Sequence, residues 1–333
     1  MKKILFIGTG GTIASELSGG SLSPTIGAEQ LIRLVPGLGD MCEIEARQPF
    51  TLDSTDITTW HWLMIAREIE DSYNDFDGFV VAHGTDTLAY TAAALSYLIQ
   101  DSEKPIIITG AQRPIGFDST DSKQNLRDSF ICACSGLLHG VLVVFGGEVL
   151  LGTRVRKTRS KSFSAFESPN YPAIGTVKNG RLTVFFCPVT DGHRFYSLLE
   201  SSVGLLKLTP ATDLELLSFM LSRYSALVIE AFGVGGLPHR DGTFKKEVKR
   251  AIEAGKTVVL TTQVESEGTD MSVYNVGSGL SDIGVIEAFD MTPEACIVKL
   301  MWLLPRAWDN DSRREMFYRP VACDIFPPER SEK

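Results

Sequence analysis

Four apolar runs, each followed within two residues by glycine, organise the first half of this chain. Ile4-Leu5-Phe6-Ile7 precedes Gly8, Gly78 to Ala82 precedes His83-Gly84, Pro105 to Thr109 precedes Gly110, and Val141 to Phe145 precedes Gly146-Gly147. Apolar runs of this length without polar alternation are strands buried on both faces, as parallel sheets require. Helical periodicity predicts helices from about Thr58 through Ile69, from Leu88 to Gln100 and from about Ser122 to Ser135. Val149 to Leu151 continues in extended form, and from about Pro188 to Gly204 the pattern loosens. Beyond it, strands are predicted at Gly204 to Leu208, Ala226 to Glu230 and Thr257 to Thr261, with helices at Lys245 to Glu253 and Pro293 to Leu304. Strand and helix alternate on both sides of the loosened stretch. The expected fold class is therefore α/β with two open parallel-sheet domains, 1–190 and 205–333, joined by a linker at 191–204.

The turn after the first run, Gly8-Thr9-Gly10-Gly11-Thr12, fits neither familiar glycine signature. A dinucleotide fingerprint needs a third small residue where Ile13 stands, and a phosphate-cradling loop needs a lysine that is absent. Two readings stay open: a turn that only closes a strand, or a hydroxyl, Thr12, presented at the carboxyl end of a first parallel strand, where ligands of open α/β sheets gather. His83-Gly84-Thr85-Asp86-Thr87 repeats the design of strand, glycine, threonine and helix. Ser15 to Thr25, with Gly19-Gly20 at its middle, is either a mobile lid over Thr12 or a plain surface connection. Asp53-Ser54-Thr55-Asp56 is by default the cap of the helix beginning near Thr58. The cations Arg154, Arg156, Lys157, Arg159 and Lys161 read, taken alone, as a solvated loop.

Composition narrows the function classes. The 333 residues suffice for two cores, and a net charge of −9 leaves no basic footprint for nucleic acid or an anionic membrane. Six dispersed cysteines without CxxC spacing read as small buried hydrophobes, and five dispersed histidines without HExxH argue against a metal enzyme. Met-Lys-Lys runs directly into the first strand with no leader-like segment, and no apolar run approaches the roughly 20 residues of a spanning helix, so a cytoplasmic location is expected.

Gly-Thr-Gly-Gly-Thr-Ile-Ala at the start, Asp-Ser-Thr-Asp at 53–56, His-Gly-Thr-Asp-Thr at 83–87 and Lys157 six residues before Phe163 together resemble an L-asparaginase, most nearly the cytoplasmic, type I branch of the bacterial and archaeal enzymes. The likeness extends to Gly-Ala-Gln-Arg-Pro at 110–114, Phe-Glu-Ser-Pro-Asn-Tyr-Pro at 166–172, Gly-Val-Gly-Gly at 233–236 and Asp-Met-Thr at 290–292. It implies an asparaginase-like fold with a larger N-terminal and a smaller C-terminal domain, assembled as a homodimer or homotetramer, and hydrolysis of L-asparagine to L-aspartate and ammonia without metal or cofactor. It also implies that Thr12 attacks the side-chain amide carbon, that Thr85 and Lys157 handle the proton in a relay with Asp86, that Asp86 meets the substrate ammonium, and that Asp53, Ser54 and Thr55 supply donors to the substrate carboxylate. Lys157 can take a proton only as the free amine, a form that desolvation and the arginines at 154, 156 and 159 would favour.

Two departures stand out. Leu22 occupies about the place where the family commonly carries a lid tyrosine, and Glu230 stands where allosteric members carry arginine, so activation by asparagine is not expected. The alternatives are a glutaminase, the asparaginase-like subunit of a tRNA amidotransferase, and an amino-acid sensor without chemistry. The chain's start at the first strand, without room for an appended domain, weighs against the amidotransferase reading.

Overall fold

The structure is a computed structural model that describes residues 1–18, 20–273 and 279–327. It divides into two compact units, Met1–Ser197 and Leu198–Lys333.

The first unit is built on an eight-stranded sheet with the order Arg181–Val184, Gly175–Lys178, Glu148–Leu151, Gly140–Phe145, Pro105–Thr109, Gly78–Ala82, Lys3–Gly8, Glu43–Arg47. Its last five members are mutually parallel, as the uninterrupted apolar runs predict. Ile4 to Ile7, Phe79 to Ala82 and Ile106 to Ile108 have no exposed surface, and each large apolar side chain so buried contributes roughly 1.5–3 kcal/mol of transfer free energy. The helices Ser122–Cys134 and Leu88–Leu98 pack against this layer.

Strand order positions the site. From Lys3–Gly8 the chain adds Glu43–Arg47 on one side and then crosses to add Gly78–Ala82 on the other. Such a reversal opens a crevice at the carboxyl ends of the two strands that flank it, and Gly8 lies directly beside Ala82 in the register. The turns beginning at Gly8 and at His83 therefore meet at the switch point.

Several elements differ from expectation. The layer is not parallel throughout: Gly146 and Gly147, at φ 59° and 83°, reverse the chain, so Glu148–Leu151 runs back antiparallel and is followed by an antiparallel hairpin, Gly175–Lys178 with Arg181–Val184. The helix from Leu88 stops at Leu98, because Ile99–Gln100 pairs instead with Arg194–Phe195 of the loosened stretch, and Arg194 forms an ion pair with Asp101. Ser15 to Thr25 is a β-hairpin, Ser15–Ser18 against Ser21–Pro24, with Leu17 opposite Leu22 and both exposed; Gly19 lies outside the described residues. The helix Thr59–Ser72 is capped by Thr58, whose N–H donates 3.0 Å to His61 Nδ1, and not by Ser54 or Asp56. Glu43–Arg47 is a charged edge strand, which apolar patterning overlooks.

The second unit carries four parallel strands in chain order, Val203–Lys207, Ala226–Ala231, Thr257–Thr262 and Ile286–Glu287, with helices Leu214–Arg223, Thr243–Glu253, Pro293–Leu303 and Asn310–Tyr318. Its first strand begins one residue before the predicted one. No helix among the described residues is long and apolar enough to cross a membrane.

One ion pair in this unit is entirely buried. Lys299 Nζ lies 2.7 Å from Asp324 Oδ2 with neither side chain exposed, and it also donates 3.0 Å to Arg319 O. Removing one partner strands the other charge in the core. Lys299→Met is expected to destabilise the protein by roughly 3–5 kcal/mol in urea unfolding followed by circular dichroism, whereas Lys299→Met with Asp324→Leu recovers most of that loss; a single variant within about 1 kcal/mol of the parent would contradict the burial of this pair.

Candidate active site

The site is assembled by backbone approach before any side chain takes part. Gly11, at φ 75°, lies so close to Gly84 that a Cβ on Gly11 would stand 2.3 Å from the Gly84 Cα. A Cβ on Gly84 would in turn stand 2.7 Å from Ser54 Cβ and Oγ. Gly11 N–H donates 2.8 Å to Leu52 O, fastening the first turn to the segment that leads into Asp53. The turns holding Thr12, Ser54 and Thr85 are thus brought together by contacts that glycine alone permits.

Lys157 closes the group. It lies in the strand Arg156–Lys157, paired antiparallel with Phe166–Glu167, and its Nζ donates 2.8 Å to Thr85 Oγ1 and 2.7 Å to Asp86 Oδ1. The Lys157 side chain is 19% exposed and that of Asp86 59%, so the amine is largely sheltered while the carboxylate reaches solvent. Two of the cations in this run have contacts of their own. Arg154 is buried with its guanidinium 5.2 Å from the Tyr171 ring, and Arg159 pairs with Glu167 at 2.5 Å. The neighbour at hydrogen-bond distance from Lys157 is instead an anion, Asp86.

The remaining sequence candidates divide. Ser54 is buried, its Oγ accepts from the Asp86 N–H at 3.3 Å, and its carbonyl accepts from Thr87 Oγ1 at 2.7 Å. Asp53 and Thr55 are exposed and bound to each other, Asp53 Oδ1 accepting from Thr55 N at 2.9 Å and Thr55 Oγ1 at 2.8 Å. Asp53 is thus an acceptor that braces the loop, not a donor, and the Thr55 hydroxyl proton is already engaged. Thr12 is half-buried, and among the described residues its hydroxyl makes no hydrogen bond.

Sequence reasoning missed the residues that hold these groups in place. Thr85 Oγ1 donates 3.3 Å to Gln112 Oε1, and Gln112 Nε2 donates 3.2 Å to Ser162 O, which connects Thr85 to the segment after Lys157. The backbone of that loop is held by buried Asp121, whose carboxylate accepts from Gln112 N at 2.9 Å and Arg113 N at 3.1 Å, while Asn125 donates 2.9 Å to Gly110 O and accepts from Gly146 N at 3.0 Å. Beneath the second turn, Trp62 Nε1 donates 2.9 Å to Thr91 Oγ1, Thr91 lies 2.9 Å from His83 Nε2, and His83 Nδ1 lies 2.7 Å from Gly84 O. A neutral ring satisfies this chain, with Nδ1–H donating and Nε2 accepting, and full burial lowers the His83 pKa to about 4. Gly110-Ala111-Gln112 was legible as a motif, but no spacing rule points to Asp121 or Asn125, which act through distant backbone groups.

Hydroxyls, an amine and a carboxylate gathered at a switch-point crevice form a set suited to acyl transfer, and fold and site together define an α/β amidohydrolase. Residues 3–189 match the family model "Asparaginase, N-terminal" and residues 202–317 match "Glutaminase/Asparaginase C-terminal domain". The chain is 37% identical over 327 residues to an L-asparaginase of Thermococcus kodakarensis, covering 97% of this chain and 99% of that protein. It is 36% identical over 344 residues to a glutamyl-tRNA(Gln) amidotransferase subunit of Pyrococcus horikoshii, covering 97% of this chain and 77% of that protein. The solved structure of the thermostable T. kodakarensis L-asparaginase superposes with a TM-score of 0.92 at 36% identity, covering 98% of this chain and 99% of that one. The chain belongs to the asparaginase family.

Burial of His83 carries a signed pH dependence. Its folded pKa of about 4 lies below the ordinary value of 6.5, so the unfolded chain takes up the proton first and this stabilising contribution is lost as pH falls from 6.5 towards 4. Buried Asp128, pushed up to about 6, works the opposite way over part of the same window, so the parent alone masks the effect. The difference between His83→Gln and the parent isolates it. The variant's stability deficit is expected to shrink by roughly 2–3 kcal/mol between pH 7 and pH 4.5 in urea titrations, and a deficit independent of pH would refute the neutral buried ring.

Proposed function

We propose that this protein hydrolyses the side-chain amide of L-asparagine to L-aspartate and ammonia through an ester formed on Thr12. The observation that carries this reading is the double contact of Lys157 Nζ with Thr85 Oγ1 and Asp86 Oδ1, on the turn that packs against Gly11 immediately before Thr12. The Thr85 oxygen already accepts from Lys157 and its proton points to Gln112, whereas the Thr12 hydroxyl is uncommitted. Thr12 is therefore the better nucleophile and Thr85 the better link in a proton path.

Substrate arrival supplies the activation. The α-ammonium of an amino acid docks on the exposed Asp86 carboxylate and competes with Lys157 for it, which loosens the hold of Asp86 on the lysine's proton. Lys157 releases that proton to solvent, and the free amine takes the Thr85 proton while Thr85 takes that of Thr12, whose oxygen bonds to the amide carbon. The same proton returns to the amide nitrogen, ammonia leaves, and water cleaves the ester by the reverse path. Ser54, whose oxygen accepts from Asp86 N–H, retains a proton to donate to the substrate carboxylate. An amide lacking the ammonium offers nothing to compete with Lys157 for Asp86, so the lysine keeps its proton and the amide is a poor substrate. Proton transfer and one acyl carrier complete this chemistry, and the reading includes no metal or organic cofactor. A cytoplasmic setting and a homodimer or homotetramer belong to the same reading, and cell fractionation and light-scattering mass test them.

A second reading, as part of a tRNA amidotransferase, rests on the 36% identity to the P. horikoshii protein. Ammonia release from L-asparagine, L-glutamine and simple amides by the isolated protein separates the possibilities. The parent is expected to turn over L-asparagine; Thr12→Ala to lose at least about 1,000-fold in kcat, and Thr85→Val on the order of 100-fold. Thr12→Ala within about tenfold of the parent would overturn the ester on Thr12. Binding without turnover in the parent would favour a sensor, and glutamine preferred over asparagine a glutaminase.

A further inference from the structure

The Gln112 amide has one orientation that satisfies both of its neighbours. Ser162 O can only accept, so the Nε2 end of the amide, 3.2 Å away, faces it and donates, and the Oε1 end is thereby turned to Thr85. That carbonyl oxygen can also only accept. The Thr85 hydroxyl proton therefore lies on the Gln112 side, at 3.3 Å, and the Thr85 oxygen presents its lone pairs to Lys157 Nζ at 2.8 Å. Main-chain bonds fix the base of the amide, since Gln112 N and Arg113 N both donate to the buried Asp121 carboxylate, at 2.9 and 3.1 Å. One side chain thus dictates the direction of a chain of two bonds, from Lys157 to Thr85 to Gln112.

That direction is the reverse of the one the chemistry needs. To hand its proton to a free amine, Thr85 must turn it away from Gln112 and toward Nζ. While the proton points at Gln112, the bond between Lys157 and Thr85 is made by a proton of the lysine, and it is strongest from the charged ammonium. When the proton points at Nζ, the lysine has to be neutral. At 3.3 Å the bond to Gln112 is longer than the roughly 2.5–3.0 Å of an ordinary hydroxyl bond, so the proton is oriented without being tightly held. The nearest charge to Lys157 is Asp86 Oδ1, at 2.7 Å. Other charged groups on the elements packed here are Arg156, opposite Glu167 in the ribbon, Arg159, paired with Glu167, Arg113, whose guanidinium lies 5.6 Å from the Phe163 ring, and Asp53, which accepts from Thr55.

We propose that Gln112 is a positioning residue that sets the direction of the Thr85 proton and, through it, the pH at which Lys157 becomes a base. The inference rests on the reading of Thr12 as nucleophile with Thr85 and Lys157 as its proton path. Gln112 acts on the reacting atoms only through Thr85. By giving the Thr85 proton an acceptor it favours the charged lysine, and so keeps the relay loaded until a substrate ammonium competes for Asp86.

The test is the pH profile of kcat at saturating L-asparagine, which reports groups in the substrate complex, for the parent, Gln112→Met and Gln112→Glu, with thermal unfolding as the check on folding. Methionine matches the length of glutamine but brings no carbonyl. The Thr85 proton is then free to turn to Nζ, and the acid limb is expected to move down by about 0.5–1 pH unit, the contribution of one neutral hydrogen bond. Glutamate keeps an acceptor toward Thr85 and adds an anion, so its acid limb is expected to move up by about one unit. Damage to the fold lowers rates without moving the limb in opposite directions, and either variant alone has a signed outcome. Limbs within about 0.2 pH unit of the parent's in the folded variants, or a shift of either with the opposite sign, would overturn the role of Gln112 and leave the Thr12 reading standing. A parent without turnover, or Thr12→Ala within about tenfold of the parent, would overturn that reading and this inference with it.

Discussion

The contact of Gly11 with Gly84 is the constraint on which the site depends. Two backbone turns from neighbouring parallel strands approach until no side chain fits between them, and Ser54 fills the next place in the row. An alanine in place of Gly11 would meet both a positive φ of 75° and the Gly84 backbone, so the approach is closed to every other residue type. Strand order explains why it occurs there: the switch point lies between Lys3–Gly8 and Gly78–Ala82, whose register sets Gly8 beside Ala82. Threonines one residue beyond these glycines are carried into a common crevice by the sheet itself.

Around that contact, polar groups are held by partners of much longer reach. Lys157 arrives on a short ribbon, Asp121 and Asn125 fix the loop of Gln112 through backbone N–H and C=O groups, and neutral His83 braces Gly84 from below. Each buried member of the His83 chain has a partner, so the network orients the turn without stranding a donor. The result is a stiff frame under two groups that stay uncommitted or exposed, the Thr12 hydroxyl and the Asp86 carboxylate, and these are the two that a zwitterionic amide would have to meet.

Much of the frame was legible in the chain, for physical reasons. Ile4 to Ile7 and Phe79 to Ala82 are apolar without interruption because both faces are covered, and that pattern has no other economical explanation. Glu43–Arg47 was invisible because a sheet edge tolerates charge, and the Ser15 to Thr25 hairpin because its serines and glycines carry no period of two. The cap at Thr58 was missed because His61 performs the role usually taken by glutamate. At the candidate site, the motifs single out the threonines and Lys157, but their surroundings are not legible. Arg154 lies against Tyr171 and Arg159 pairs with Glu167, while the Asp86 carboxylate is in hydrogen-bond contact with Lys157. Asp121 lies nine residues from the loop it holds and makes its bonds to main-chain groups, which no side-chain pattern records.

Gly84→Ala tests the convergence most directly, because Gly84 needs no unusual φ and the added methyl acts only by displacing Ser54 and Gly11. With thermal unfolding as the control for folding, ammonia release from L-asparagine per folded molecule should fall about 100-fold, the cost of moving a reacting group by roughly an ångström. A folded Gly84→Ala protein that releases ammonia at the parent's rate would contradict a site built on that contact.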